Sequence, residues 1–140
     1  MATPNKYLIT KIREAAGNIE SGAPYNWGHV GKCNCGHLLQ TIEDVDSGDI
    51  YKRAQKVTLD EYSEFVNDYC PESGVPMDAL LDSLVDVGLS MDDIPQLEYL
   101  SNKRVLEALP GGFRYLQKGK ADDAVLYMNT WADVLEEELV

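Results

Sequence analysis

Both histidines of this chain and two of its three cysteines fall within nine residues, at His29, Cys33, Cys35 and His37; only Cys70 stands elsewhere. Thiolate and imidazole are the preferred ligands of zinc, and sulfur donors also suit iron and copper(I). His29, Cys33 and His37 recur every four residues. On a helical turn that spacing brings Cys33 and His37 to one side. Gly31 and Gly36 free the backbone to curl and bring Cys35 toward them. Cys70, next to Pro71 at an expected helix end, is a donor from across the fold. These residue types predict a transition-metal site, for zinc or iron, built on Cys33, Cys35 and His37 and completed by His29 or Cys70.

The same residues allow thiol chemistry. Asn34 is a good helix N-cap, which would place Cys35 in the first helical turn. Unpaired amides and the helix dipole there favour a thiolate. Cys35 is therefore the expected catalytic or redox-sensing residue if the protein acts through sulfur.

The string Pro24-Tyr25-Asn26-Trp27-Gly28, followed by Cys33-Asn34-Cys35-Gly36-His37-Leu38, resembles the catalytic segment of NlpC/P60 cysteine peptidases, with Cys35 at the nucleophile position. Asn34 stands where that family has aspartate, and no histidine follows His37 to act as its downstream base. A longer resemblance runs through Gly31-Lys-Cys-Asn-Cys-Gly-His-Leu-Leu-Gln40, Tyr69-Cys-Pro71, Leu97-Glu-Tyr-Leu-Ser101 and Trp131-Ala132. It is to a family of small soluble bacterial proteins with a Cys-Asn-Cys-Gly-His motif. That resemblance implies a shared fold and carries no activity.

The elements that must position these residues read as helices. Leu8, Ile12, Ala15, Ala16 and Ile19 form one apolar stripe over residues 5–20, stopped at Ser21-Gly22-Ala23-Pro24. Gly28, Gly31 and Gly36 make the His/Cys segment a loop that feeds a helix from Asn34 through Leu38, Leu39 and Ile42. A short helix follows at 50–56. Thr58 and Glu61 form a capping box for the next, through Leu59, Tyr62, Phe65, Val66 and Tyr69. Pro76 opens a helix that points Leu80, Leu81, Leu84 and Val85 inward and stops at Gly88. Ser90 and Asp93 cap one through Ile94, Leu97, Tyr99 and Leu100, and Arg104–Leu109 is a short one before Pro110-Gly111-Gly112. The last runs over 121–139, with Val125, Met128, Trp131, Ala132, Leu135 and Leu139 on one side. No segment alternates like a strand. The expectation is a single all-α domain over residues 1–140, an irregular bundle of seven or eight short helices.

Composition narrows the function classes. A net charge of −12 opposes nucleic-acid binding, which needs a basic footprint, and also contact with an anionic membrane surface. Residues 57–102 hold eleven acidic side chains and no Lys or Arg. Asp60, Glu64 and Asp68 would stack along one helix face, and Asp78, Asp82 and Asp86 along the next. They form either a solvated face or a docking surface for a basic protein partner. Asp44-Val-Asp46-Ser-Gly48 suggests a calcium loop, but the glycine is one place early and Gln55 stands where the bidentate glutamate belongs. No apolar run reaches the ~18 residues of a membrane span, no secretory leader is visible, and three cysteines make no disulfide framework. A reducing cytoplasm fits best.

Overall fold

The computed structural model describes residues 1–26, 33–43, 84–90 and 92–139. The expectations placed on His29, on Cys70, on the helices between 44 and 83, on the calcium-like loop and on most of the acidic rows lie outside the described residues. Among the described residues all regular structure is helical and no strand occurs.

Helix α1 spans Lys6–Glu20. It starts where Asn5, in extended conformation at φ −156°, turns its Oδ1 to accept the Leu8 amide at 2.8 Å. This satisfies one of the orphan donors of a helix start. It ends where Gly22 takes φ +101°, a left-handed conformation that suits glycine. The expected stripe is buried, with Ile9 added to Leu8, Ile12, Ala15, Ala16 and Ile19. Each fully buried Leu or Ile contributes about 1.5–3 kcal/mol of transfer free energy.

That stripe lies along helix α5, Ala121–Glu137, which buries Ala124, Val125, Tyr127, Met128, Trp131, Ala132 and Leu135. At the rim Arg13 reaches across to Asp133 at 2.8 Å and Glu136 at 2.9 Å. These two carboxylates hold the guanidinium pKa above its ordinary value, Glu136 being the larger cause. The pair is exposed and screened, so the apolar stripe, not the ion pair, holds the two helices together.

Helix α2, Asn34–Glu43, packs on α1 and on the short helix α3, Asp93–Tyr99. At the start of α3 the Asp93 Oδ2 accepts from the Ser90 amide and hydroxyl, each at 2.8 Å, as the Ser-x-x-Asp pattern predicts. α3 stops at Leu100, whose φ of 54° and ψ of 48° are left-handed, while its side chain is buried. Asn102 then caps helix α4, Lys103–Glu107, accepting from the Arg104 and Val105 amides. Its own amide donates to the Tyr127 hydroxyl at 3.2 Å, tying α4 to α5.

Three expected core residues are on the surface. Tyr99 is 45% exposed, because α3 buries the face of Ile94, Leu97 and Glu98 and the next residue is turned to the rim. Val85 is 44% exposed, being rotated off the buried Leu84. Leu139 is 38% exposed because it lies past the last residue of α5.

The segment before α1 is strapped to residues 87–88. The Thr3 amide donates to the Gly88 carbonyl at 2.8 Å and Asn5 Nδ2 to the Val87 carbonyl at 2.9 Å. Gly88 sits at φ +120°, and a Cβ there would meet the Thr3 carbonyl oxygen at 3.0 Å and Asn5 Nδ2 at 3.1 Å. Gly88→Ala therefore strains the backbone and pushes on the strap. The expected loss is about 1–3 kcal/mol of stability, read as a lower midpoint in denaturant unfolding. An unchanged midpoint would contradict the contact.

Candidate metal centre

The Cys-Asn-Cys-Gly-His motif forms the first turn of α2. The His37 amide donates to the Cys33 carbonyl at 2.9 Å, so Cys33 is the cap residue and Asn34 the first helical residue. This corrects the expectation that Asn34 caps. Cys33 does so itself, its Sγ accepting from the Gly36 amide at 3.4 Å. Asn34 is freed for other partners. It accepts from the Tyr25 hydroxyl at 2.6 Å and donates through Nδ2 to the carbonyls of Leu97 at 2.9 Å and Glu98 at 3.4 Å.

The remaining amides at this helix start turn to a side chain that is distant in sequence. Glu98, on the buried face of α3, accepts the Cys35 amide at 2.6 Å and also that of Asn34. The side chains of Cys33 and Cys35 also act on this carboxyl and draw its pKa down. Cys35 Sγ donates to the Ile94 carbonyl at 3.8 Å. The first turn of α2 thus gathers on one buried carboxyl. Burial raises the Glu98 pKa and is the largest influence; the hydrogen bonds from the amides and thiols pull it back.

His37 is turned away from this cluster. Its Nε2 lies 2.8 Å from the Pro24 carbonyl. A carbonyl only accepts, so Nε2 carries the proton. The ring stacks on Tyr25, with centroids 5.9 Å apart and planes 25° apart. Burial lowers the His37 pKa, against the opposing hydrogen bond to Pro24. Burial raises the Tyr25 pKa, followed by the nearby charges of Glu98 and Cys33. Both rings are therefore held neutral, and they pin residues 24–26 over the start of α2.

Of the expected site residues, Cys33 and Cys35 are brought together through Glu98. Both are fully buried. His37 is one helical turn away on separate partners, and His29 and Cys70 lie outside the described residues. Among the described residues no three His, Cys, Asp or Glu side chains stand in an arrangement that holds a metal ion. The two cysteine side chains and the carboxyl nevertheless act on one another at the buried start of α2.

Glu98 is the site residue that the sequence reading missed. Its signal was present: it lies four residues after Ile94 and directly after Leu97, on the apolar stripe of α3. A carboxylate on a buried helix face needs partners.

Comparison with family models, with curated proteins and with solved structures gives no match to this chain. Among the described residues no helix is long and apolar enough to cross a membrane.

The raised Glu98 pKa has a definite sign. A carboxyl with a higher pKa in the folded state than in the unfolded chain contributes stability that is complete below the unfolded value. That contribution is lost as pH rises from the ordinary value of 4.5 through the folded pKa. Glu98→Gln, which keeps the shape without the titration, is expected to flatten the fall in stability over that window. Denaturant midpoints measured across a pH series, wild type against variant, provide the check; parallel curves would contradict it.

Proposed function

We propose that the protein binds a transition metal, zinc or iron, at the start of α2, through Cys33, Cys35 and the carboxylate of Glu98. One observation carries this reading: the side chains of both cysteines of the motif and the carboxyl of Glu98 act on one another at the buried start of α2. Two sulfur donors and one oxygen donor thus share a dry setting of the kind that closed structural metal sites occupy. Cys33 and Cys35 would hold the ion as thiolates, their protons released to solvent. The amides of Asn34 and Cys35, already on Glu98, would orient its carboxylate, as second partners of a metal ligand commonly do. The positive end of α2 offsets part of the negative charge. A tetrahedral zinc site needs a fourth donor, for which His29 and Cys70 remain the candidates. His37, bonded to Pro24, supports the loop rather than joining the ligand set.

The geometry favours this over a nucleophilic or redox-sensing Cys35. Activated thiols sit in exposed, electropositive surroundings. Cys35 is fully buried, and the amides that would activate it are taken up by Glu98.

The test is elemental analysis of protein purified without a metal-binding tag, followed by cobalt(II) substitution. About one zinc or iron per chain is expected, and cobalt should produce thiolate charge-transfer absorption in the near ultraviolet. Both signals should disappear in Cys33→Ser/Cys35→Ser and weaken in Glu98→Gln, with helicity checked by circular dichroism. Sub-stoichiometric metal in the wild type, together with no cobalt–thiolate band, would sink the reading.

A further inference from the structure

Away from the Cys/Glu cluster, the surface breaks with the rest of the chain in both charge and polarity. Residues 103–120 hold five of the twelve Lys and Arg, namely Lys103, Arg104, Arg114, Lys118 and Lys120, against a single acidic residue, Glu107. The chain as a whole carries −12. The same stretch exposes aromatic rings. Tyr115 is 85% and Phe113 46% exposed, their rings meeting edge to face at 5.2 Å. Tyr99, also exposed, has Lys118 Nζ of this stretch 4.8 Å from its ring centre. Arg104 is engaged by Glu138.

This loop is built rather than loose. Leu109 is buried at its start, and Leu116 packs against the core in its middle. The Gln117 amide donates to Asp123 Oδ2 at 2.8 Å on the first turn of α5, and the Gly112 amide to the Leu109 carbonyl at 2.9 Å. Gly111, Gly112 and Gly119 take positive φ at its two bends. The chain turns Leu116 inward and leaves Phe113, Arg114 and Tyr115 outward. Aromatic residues and arginine held in place by their scaffold are the side chains that dominate protein interfaces, because little freedom is lost when they bind.

We propose that the loop 110–120, with Tyr99, is a docking surface for an acidic segment of another protein, one that carries carboxylates beside apolar side chains. Charge complementarity selects the partner: Arg114, Lys118 and Lys120 meet its carboxylates, and Phe113 and Tyr115 cover its apolar positions. Screening confines these attractions to about 8 Å at physiological salt, so a short partner meets Arg114, Lys118 and Lys120 with only Asp122 and Asp123 of the first turn of α5 beside them, rather than the charge of the whole chain. A nucleic acid shares the taste for cations and aromatic rings, but it extends one phosphate charge every ~1.7 Å past the loop and over an otherwise acidic molecule.

The test is fluorescence anisotropy with two labelled probes: a short peptide of alternating glutamate and leucine, and an oligothymidylate of the same length. The peptide is expected to bind the full-length protein, less tightly as salt is raised. Arg114→Glu and Tyr115→Ala should each weaken it about tenfold. Both side chains are exposed, so folding should be unaffected, and Thr10→Ala on the far helix α1 serves as the control. No binding of the peptide, equal binding by the two variants and the wild type, or tighter binding of the oligothymidylate would each overturn the proposal.

Discussion

The start of α2 depends on a carboxyl group from another helix. A helix leaves its first amides without partners, and exposed helices give them to water or to a nearby Ser, Thr, Asp or Asn. Here they are buried, and Glu98 of α3 receives those of Asn34 and Cys35. The arrangement fixes α2 against α3 in a way apolar contact would not, because hydrogen bonds to a carboxylate are directional and strong in a dry interior. Asn34 adds to it by donating to the Leu97 and Glu98 carbonyls at the end of α3. Each helix terminus thus supplies what the other lacks: amides need an acceptor, and carbonyls need a donor.

The junction also sets the chemistry of the two cysteines. Thiols on a free helix start are activated by the amides around them. With those amides committed to Glu98, Cys33 and Cys35 lie buried and unbridged beside the same carboxyl. A buried cluster of two thiols and a carboxyl is a poor nucleophile but a good precursor for a cation, since each thiol becomes an anion as its proton leaves. A buried carboxyl burdened by desolvation is tolerated where it has work to do, and metal ligation is one such role. Tyr25 and His37, both neutral, close the start of α2 from the side of residues 24–26.

The remaining described helices act as a frame. The α1–α5 contact is apolar at its centre with Arg13 on Asp133 and Glu136 at its rim, and the frame is fixed further by local caps such as Asn5 and by the strap between residues 3–5 and 87–88. Asn102 and Tyr127 carry the frame on to α4 and to the loop beyond. That loop is anchored at Leu109 and Leu116, so its aromatic and basic side chains are presented outward on a firm support.

Much of this was legible from order and spacing. The stripe of α1, its stop at Gly22, the Ser90–Asp93 cap, the all-helical class and the long helix near the C-terminus follow from local rules, because a helix is made by residues three and four apart. So does the importance of residues 33–37, since clustered thiols and imidazoles announce themselves. What sequence spacing did not decide was which of those residues act together. It grouped Cys33 with His37 because they share a helical side, and it made Asn34 the cap by residue type. The fold separated His37 onto Pro24, moved the cap to Cys33 and introduced Glu98, sixty-odd residues on. Hydrogen-bond partners across such a distance depend on how two helix ends meet. That meeting is set by packing of the whole chain and leaves in the sequence only a carboxylate on an apolar face.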